Sequence, residues 1–313
     1  MTPTFKYRRL SGHAFALSLL AAAAAPAHAV ENGAPITPFG VFDFGAGQLP
    51  PPSEIATVGV RAAVYRASEL RDNAGNVSPV GAKVRVDSVG AAIIKMTDHS
   101  FMGGKYGWGA VIPVLNMGLD LAIPTPVGTV NVSGRNTAVG DIQLIPLMVQ
   151  WTPSPGLFTN ASLQLQLPTG SYDKSRAINA GTNHWTVVPT YAFTYITSGG
   201  FEVSSNFQLN FNGRNKDTDY RSGVEYQHEF ALGQHRGPWT FGLGGYYYQQ
   251  LTDDKAPGLP NGNRSRVAAL GPVVSFFELG SGLPLVWVHA YKEFGARNRS
   301  QGSQLTVRAA WTF

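Results

Sequence analysis

Apolar and polar side chains alternate along residues 201–212, with Ser205 the one polar residue on the apolar side. Phe201, Val203, Ser205, Phe207, Leu209 and Phe211 share one parity; Glu202, Ser204, Asn206, Gln208, Asn210 and Asn212 share the other. Successive side chains of a strand point to opposite faces, so the segment predicts a strand with one apolar and one polar side. The pattern recurs. Ala161, Leu163, Leu165 and Leu167 oppose Asn160, Ser162, Gln164 and Gln166. Val224, Tyr226, Phe230 and Leu232 oppose Arg221, Glu225, Gln227 and Glu229. Leu305, Val307, Ala309, Trp311 and Phe313 oppose Gln304, Thr306, Arg308 and Thr312. Val58, Val60, Ala62 and Val64 oppose Thr57, Arg61 and Tyr65, and Val84 and Val86 are set against Lys83, Arg85 and Asp87.

About twelve strands follow, over 56–66, 83–95, 106–122, 139–152, 157–168, 185–197, 200–212, 220–234, 238–251, 264–278, 284–294 and 302–313, by period and by Gly/Pro punctuation. Longer connections rich in Asn, Asp, Gly and Arg alternate with short ones; the segment near 96–105 breaks the rule by its length. An even strand number with alternating long loops and short turns predicts an all-β, transmembrane antiparallel barrel of the outer-membrane type over 55–313. A soluble sandwich alternates too, but its outer faces carry more Lys and Glu than the Ser, Thr, Asn and Gln seen here. Trp108, Trp151, Trp185, Trp239 and Trp311 sit near strand ends, where interfacial girdles lie.

Composition narrows the picture. Only 14% of residues are charged, 36 are Gly, and Cys is absent. Disulfide scaffolds, zinc–thiolate sites and Cys nucleophiles are thereby excluded. Residues 1–29 read as a signal peptide: Lys6, Arg8 and Arg9, then the apolar run Phe15–Ala25, then Ala27-His28-Ala29. The protein is therefore expected to be exported to the bacterial outer membrane. Those three cations leave with the signal, so most of the formal charge of +5 goes too. No clustered basic face remains for nucleic acid.

Residues 30–54 lack alternation and are rich in Pro and Gly, which fits either a plug folded into the lumen or a periplasmic tail. The polar strand faces nominate a lumen lining: Arg61, Lys83, Arg85, Asp87, Asp141, Glu202, Asn206, Gln208, Arg221, Glu225, Glu229, Tyr246, Tyr248 and Arg308, with Glu293. These either line a mixed-charge pore or pair across the barrel and fill it; twelve strands lie between filled eight-stranded barrels and the water channels of sixteen or more. Tyr246 and Tyr248 would suit a flat apolar solute, and Tyr172 and Tyr220 suit the girdle. Asp253-Asp254, and Asp217 with Asp219, read as solvated loop carboxylates, since they lack a calcium-loop pattern. No Gly-x-Ser-x-Gly occurs after the signal, and no His-x-x-x-His pair supports a metal. No cofactor is expected.

Glu31-Asn32-Gly33, Pro38-Phe39-Gly40, Pro50-Pro51-Pro52, Gly140-Asp141, Leu167-Pro168-Thr169-Gly170-Ser171-Tyr172-Asp173, Gly245-Tyr246-Tyr247-Tyr248-Gln249-Gln250 and Gly262-Asn263-Arg264-Ser265-Arg266 follow one another in order. Together with Asn215, Asp217, Thr218, Asp219 and Tyr220, the set resembles the outer-membrane transporter family named for the meta-cleavage pathway of phenol degradation, the SphA-like family. The resemblance covers nearly the whole exported chain. It implies a porin-like barrel for uptake of aromatic or other hydrophobic compounds, and it brings no catalytic residues. The terminal Phe313 resembles the assembly signal read by the barrel-assembly machinery. The partners expected are that machinery, outer-membrane lipid and a small hydrophobic or aromatic solute. The alternatives are a structural or adhesive barrel with a filled lumen and an outer-membrane lipid-modifying enzyme.

Overall fold

The computed structural model describes residues 31, 36–278 and 280–311. The predicted signal peptide and Phe313 lie outside them. Thirteen strands are found there: β1 Thr57–Arg71, β2 Val77–Phe101, β3 Gly104–Thr125, β4 Gly128–Val139, β5 Gln143–Ser154, β6 Leu157–Gln166, β7 Thr186–Ile196, β8 Phe201–Asn212, β9 Glu225–Arg236, β10 Trp239–Gln250, β11 Arg266–Phe276, β12 Leu285–Arg297 and β13 Arg299–Trp311. Each pairs antiparallel with its neighbours, and β1 pairs with both β2 and β13, so the sheet closes on itself. Closure gives every strand but β4, which pairs with β3 alone, partners on both sides, as a bilayer demands.

β4 and β5 together make one stave. β4 pairs with the upper half of β3, Val114 to Thr125, and β5 with its lower half, Lys105 to Val111. Between them Gly140-Asp141-Ile142 leaves the ladder. The wall is thus a twelve-stranded barrel. Short turns and the chain's first and last strand ends lie at one end; the loops 167–185, 213–224 and 251–265 lie at the other.

Two expectations change. The stretch 96–105 is a tight hairpin, in which β2 and β3 run on to Phe101 and Gly104. Met102 (φ 50°) and Gly103 (φ 77°) both take left-handed backbone, the geometry of a two-residue hairpin turn. Met in that place gives no turn signal, which is why the segment reads as a loop. The stretch 123–138 is also ordered as the β3–β4 hairpin. Here β3 runs on past Val111, where its pairing with β5 ends, and pairs with β4 as far as Thr125.

The outer face is apolar around the barrel. Val60, Val89, Ile112, Tyr191, Phe241, Leu270 and Leu305 are all exposed there, and Trp108, Trp185 and Trp239 stand exposed near strand ends. An Arg or Lys at the midplane of such a face costs about 2–4 kcal/mol, which accounts for the low charge content.

Candidate functional site

Two inner walls face each other across the lumen, and they differ in kind. The first is polar and is contributed by β7–β13. Residues 36–49 thread along it, hydrogen-bonded by side chains from eight strands, Gln150 of β5, Asn160 of β6 and Arg61 of β1 among them. Glu229 of β9 accepts the amides of Gly40, Val41 and Phe42 at 3.0, 2.8 and 2.5 Å. Three consecutive amides converging on one carboxylate form a nest, which satisfies a charge that burial would otherwise penalise. Glu202 of β8 accepts Gly45 N at 2.7 Å and meets His235 Nε2 at 2.7 Å. Gln208 and Gln227 each donate to Thr37 Oγ1 at 2.6 Å. Arg61 donates to Phe39 O at 2.9 Å. Arg308 donates to Val41 O and Asp43, stacks over the Trp287 ring at 4.3 Å, and shares Asp43 with His289.

Apolar contacts complete the seat. Phe39 packs on Tyr246 and Tyr248 with centroids 4.9 and 5.0 Å apart, and the Arg299 guanidinium lies 4.8 Å from the Phe39 ring. A Cβ on Gly47 would lie 2.2 Å from Thr194 N, so only Gly allows this approach to β7. Tyr246 donates to Glu293 at 2.9 Å and Tyr248 to Glu225 at 2.7 Å. The tyrosine hydroxyls are thereby committed to buried carboxylates, and their rings to Phe39.

The second wall is apolar. Register with the inward Arg61 and Tyr65 places Gly90, Ser88, Val86 and Val84 inward on β2. The same parity brings Ala92, Ile94 and Met96 inward, opposite Val111, Gly109 and Gly107 of β3. Ala92, Ile94, Val111 and Pro113 are half-buried. Towards the loop end the lining becomes a packed cluster of Ala82, Met117, Leu119, Leu121 and Leu70, covered by Ile178 and Ala180 of the 167–185 loop. Asp141, in the break between β4 and β5, ties that loop down. It accepts Gly170 N at 2.8 Å, and Thr182 N and Oγ1 at 2.8 and 2.7 Å.

Arg61, Glu202, Asn206, Gln208, Glu225, Glu229, Tyr246, Tyr248, Glu293 and Arg308 therefore share the inner face. Lys83, Arg85 and Asp87 do not: they lie on the outer face, Asp87 paired with Arg66 at 2.6 Å and Arg85 with Asp120 at 3.1 Å. The reason is height. This part of β2 rises past the apolar belt, so its polar side turns outwards and its valines turn inwards. Arg221 is exposed at the mouth, because β9 begins only at Glu225. Asp141 is a loop anchor rather than a lining group. Sequence reasoning did not single out Thr37, Asp43, His289 or Arg299, and it put Gln227 and Gln304 on polar faces without nominating them for the lining. The parity of β9 and β13 signals Gln227 and Gln304; Arg299 falls in a segment that reads as a loop.

The chain is similar to several solved structures. The COG4313 outer membrane channel from Pseudomonas putida F1 superposes with a TM-score of 0.73 at 15% identity, covering 87% of this chain and all of that one. The translocator domain of the autotransporter NalP from Neisseria meningitidis gives a TM-score of 0.48 at 8% identity over 82% of this chain and 88% of that one. The CymD monoaromatic hydrocarbon channel gives 0.41 at 12% identity over 90% and 96%. No curated protein matches the chain. The model of the family described as the MetA-pathway of phenol degradation matches residues 67–309, and the chain belongs to that family.

Proposed function

We propose that the protein is an outer-membrane channel for passive uptake of small hydrophobic or aromatic compounds, made as a precursor whose first 29 residues are removed on export. One observation carries this reading: an apolar, half-buried inner wall on β2 and β3 runs alongside a polar wall that is already occupied. An apolar solute moving along Ala92, Ile94, Val111 and Pro113 displaces water without stripping any polar group of its partner, so its transfer there is favoured by about 25 cal/mol per Å² of buried apolar surface. Family membership supports the same solute class. Residues 36–49 act as the plug that narrows the path.

The seated segment equally suits a structural barrel with a filled lumen, and flux separates the two. Purified protein in liposomes is expected to admit a monoaromatic solute faster than a sugar of similar size. Removing residues 36–49 should raise the rate for both. A barrel that passes neither solute, with or without the segment, is structural.

A further inference from the structure

The outer wall carries a feature that transport leaves unused. A furrow of about 530 Å³ runs down it where β11, β12, β13 and β1 meet. Its floor and sides are Val64, Leu270, Pro272, Ala290 and Leu305, and Arg66 and Lys292 stand among its lining residues. Register fixes their relation: Ser303 lies opposite Lys292 on one side and Arg66 on the other. The two cations are thus two strand spacings apart, about 10 Å, within reach of one headgroup for side chains of this length. Arg66 continues the same row to Arg85 and, past Gly118, to Arg135. Like charges directly opposite one another destabilise a sheet, so the row has to be offset. Asp87 offsets Arg66, and Asp120 is shared by Arg85 and Arg135. Lys292 is exposed and has no acidic partner among the described residues. Four cations against two carboxylates leave an excess of positive charge on the outside of the barrel, directly above apolar surface.

This end of the barrel carries the long loops, and in barrels of this kind long loops face the cell exterior. The lipid there is a phosphorylated glycolipid with several acyl chains. We propose that the furrow is a binding site for this outer-leaflet glycolipid, an acyl chain lying along Val64, Leu270, Ala290 and Leu305 and a phosphate held by Lys292 and Arg66. Arg presents a fork that matches phosphate oxygens, and Lys adds a point charge. The site rests on the outer-membrane reading of the barrel and is independent of what crosses the lumen.

Native mass spectrometry of the full barrel in detergent tests it, with diphosphorylated lipid A, its dephosphorylated form and phosphatidylglycerol added in turn. Diphosphorylated lipid A should bind tightest. Lys292→Gln should weaken it about fivefold, and the double variant with Arg66→Gln further, at about one such factor per charge. Ala290→Phe, which fills the furrow and keeps both cations, should weaken every acylated ligand. Retained heat-modifiable mobility on gels shows that each variant is folded. Equal binding of the dephosphorylated form, equal binding of phosphatidylglycerol, or indifference to Lys292→Gln in a folded barrel overturns the proposal. Solute flux is not part of this readout, so its failure leaves the channel reading untouched.

Discussion

The two inner walls of this barrel solve opposite problems. On β7–β13 the sequence buries Glu202, Glu225, Glu229 and Glu293, each nearly inaccessible. Unpaired buried charge is among the most expensive features a fold can contain, so each carboxylate needs donors. Glu225 and Glu293 find tyrosines, whereas Glu202 and Glu229 find backbone amides of residues 40–45. The segment 36–49 is thus a structural partner of the polar wall. On β2–β3 the inward positions from Ala82 to Met96 and from Gly107 to Leu121 are apolar apart from Ser88, and none carries a charge that needs the segment. On the channel reading proposed above, the difference teaches that seating and passage fall to different strands: the wall that binds the segment is not the wall that suits an apolar solute.

The sharpest way to break this division is to remove the strongest anchor. Glu229→Ala orphans three amides, each worth about 1–3 kcal/mol if left buried without a partner, so the segment should leave its seat. Single-channel conductance should rise several-fold, and residues 36–49 should become open to protease. Glu229→Gln keeps one acceptor oxygen and should fall between. If Glu229→Ala changes neither conductance nor cleavage, the polar wall is not what holds the plug.

A smaller loss is expected from the apolar wall. Leu119 is packed against Leu121, Met117, Ile178 and neighbours at the loop end. Leu119→Ala should cost about 2–5 kcal/mol through lost burial and the cavity left behind, read as a lower temperature for loss of heat-modifiable mobility. Conductance should stay unchanged, because the plug does not lean on this cluster. A conductance rise in Leu119→Ala would mean that the two walls are coupled.

Smaller again is the effect on passage itself. Ile94→Asn puts an amide on the half-buried wall, and an apolar solute must displace its water at about 1–3 kcal/mol. Uptake of a monoaromatic solute should fall at least about fivefold, with ion conductance nearly constant. Equal loss in both would place solute and ions on one path and remove the distinction between the walls.

Much of this was legible in the residues. Period two located the barrel and put Arg61, Glu202, Glu225, Glu229 and Arg308 on one face. It failed where the surroundings of the strand change. Lys83, Arg85 and Asp87 alternate with valines as correctly as any lumen group, but above the belt the outside is wet, and the same alternation then means the reverse. Alternation fixes the two faces of a strand; only height relative to the lipid says which one is inside. The apolar inner wall was hidden for a related reason: on β2 and β3 both faces are apolar near Ala91–Ile94 and Val111–Val114, so no contrast marks it. The plug's anchors were unreadable because residues 36–49 carry no period at all.

The least of the expected effects lies at the mouth, outside either wall, where the polar side's strands pass into loops. Asp254 accepts Gly223 N at 2.7 Å, as well as hydrogen bonds from Gln250 and Tyr220, and so pins loop 213–224 to loop 251–265. Burial pushes its carboxyl up to about 6, against the pull of those donors, while the neighbouring Asp253 adds to the rise. A raised folded-state value means that the packed loops bind the proton more tightly than the open ones. The contribution is therefore full below the ordinary carboxylate value, shrinks as pH climbs through about 6, and is level above that. Exchange of the Gly223 amide, corrected for its intrinsic pH dependence, should quicken between about pH 4 and 6.5, and Asp254→Asn should flatten that rise. Conductance should not follow this titration, since the plug's anchors Glu229 and Glu202 lie on other strands deeper in the lumen. A conductance step with the same midpoint, abolished by Asp254→Asn, would tie the mouth to the plug and extend the polar wall's control up into the loops.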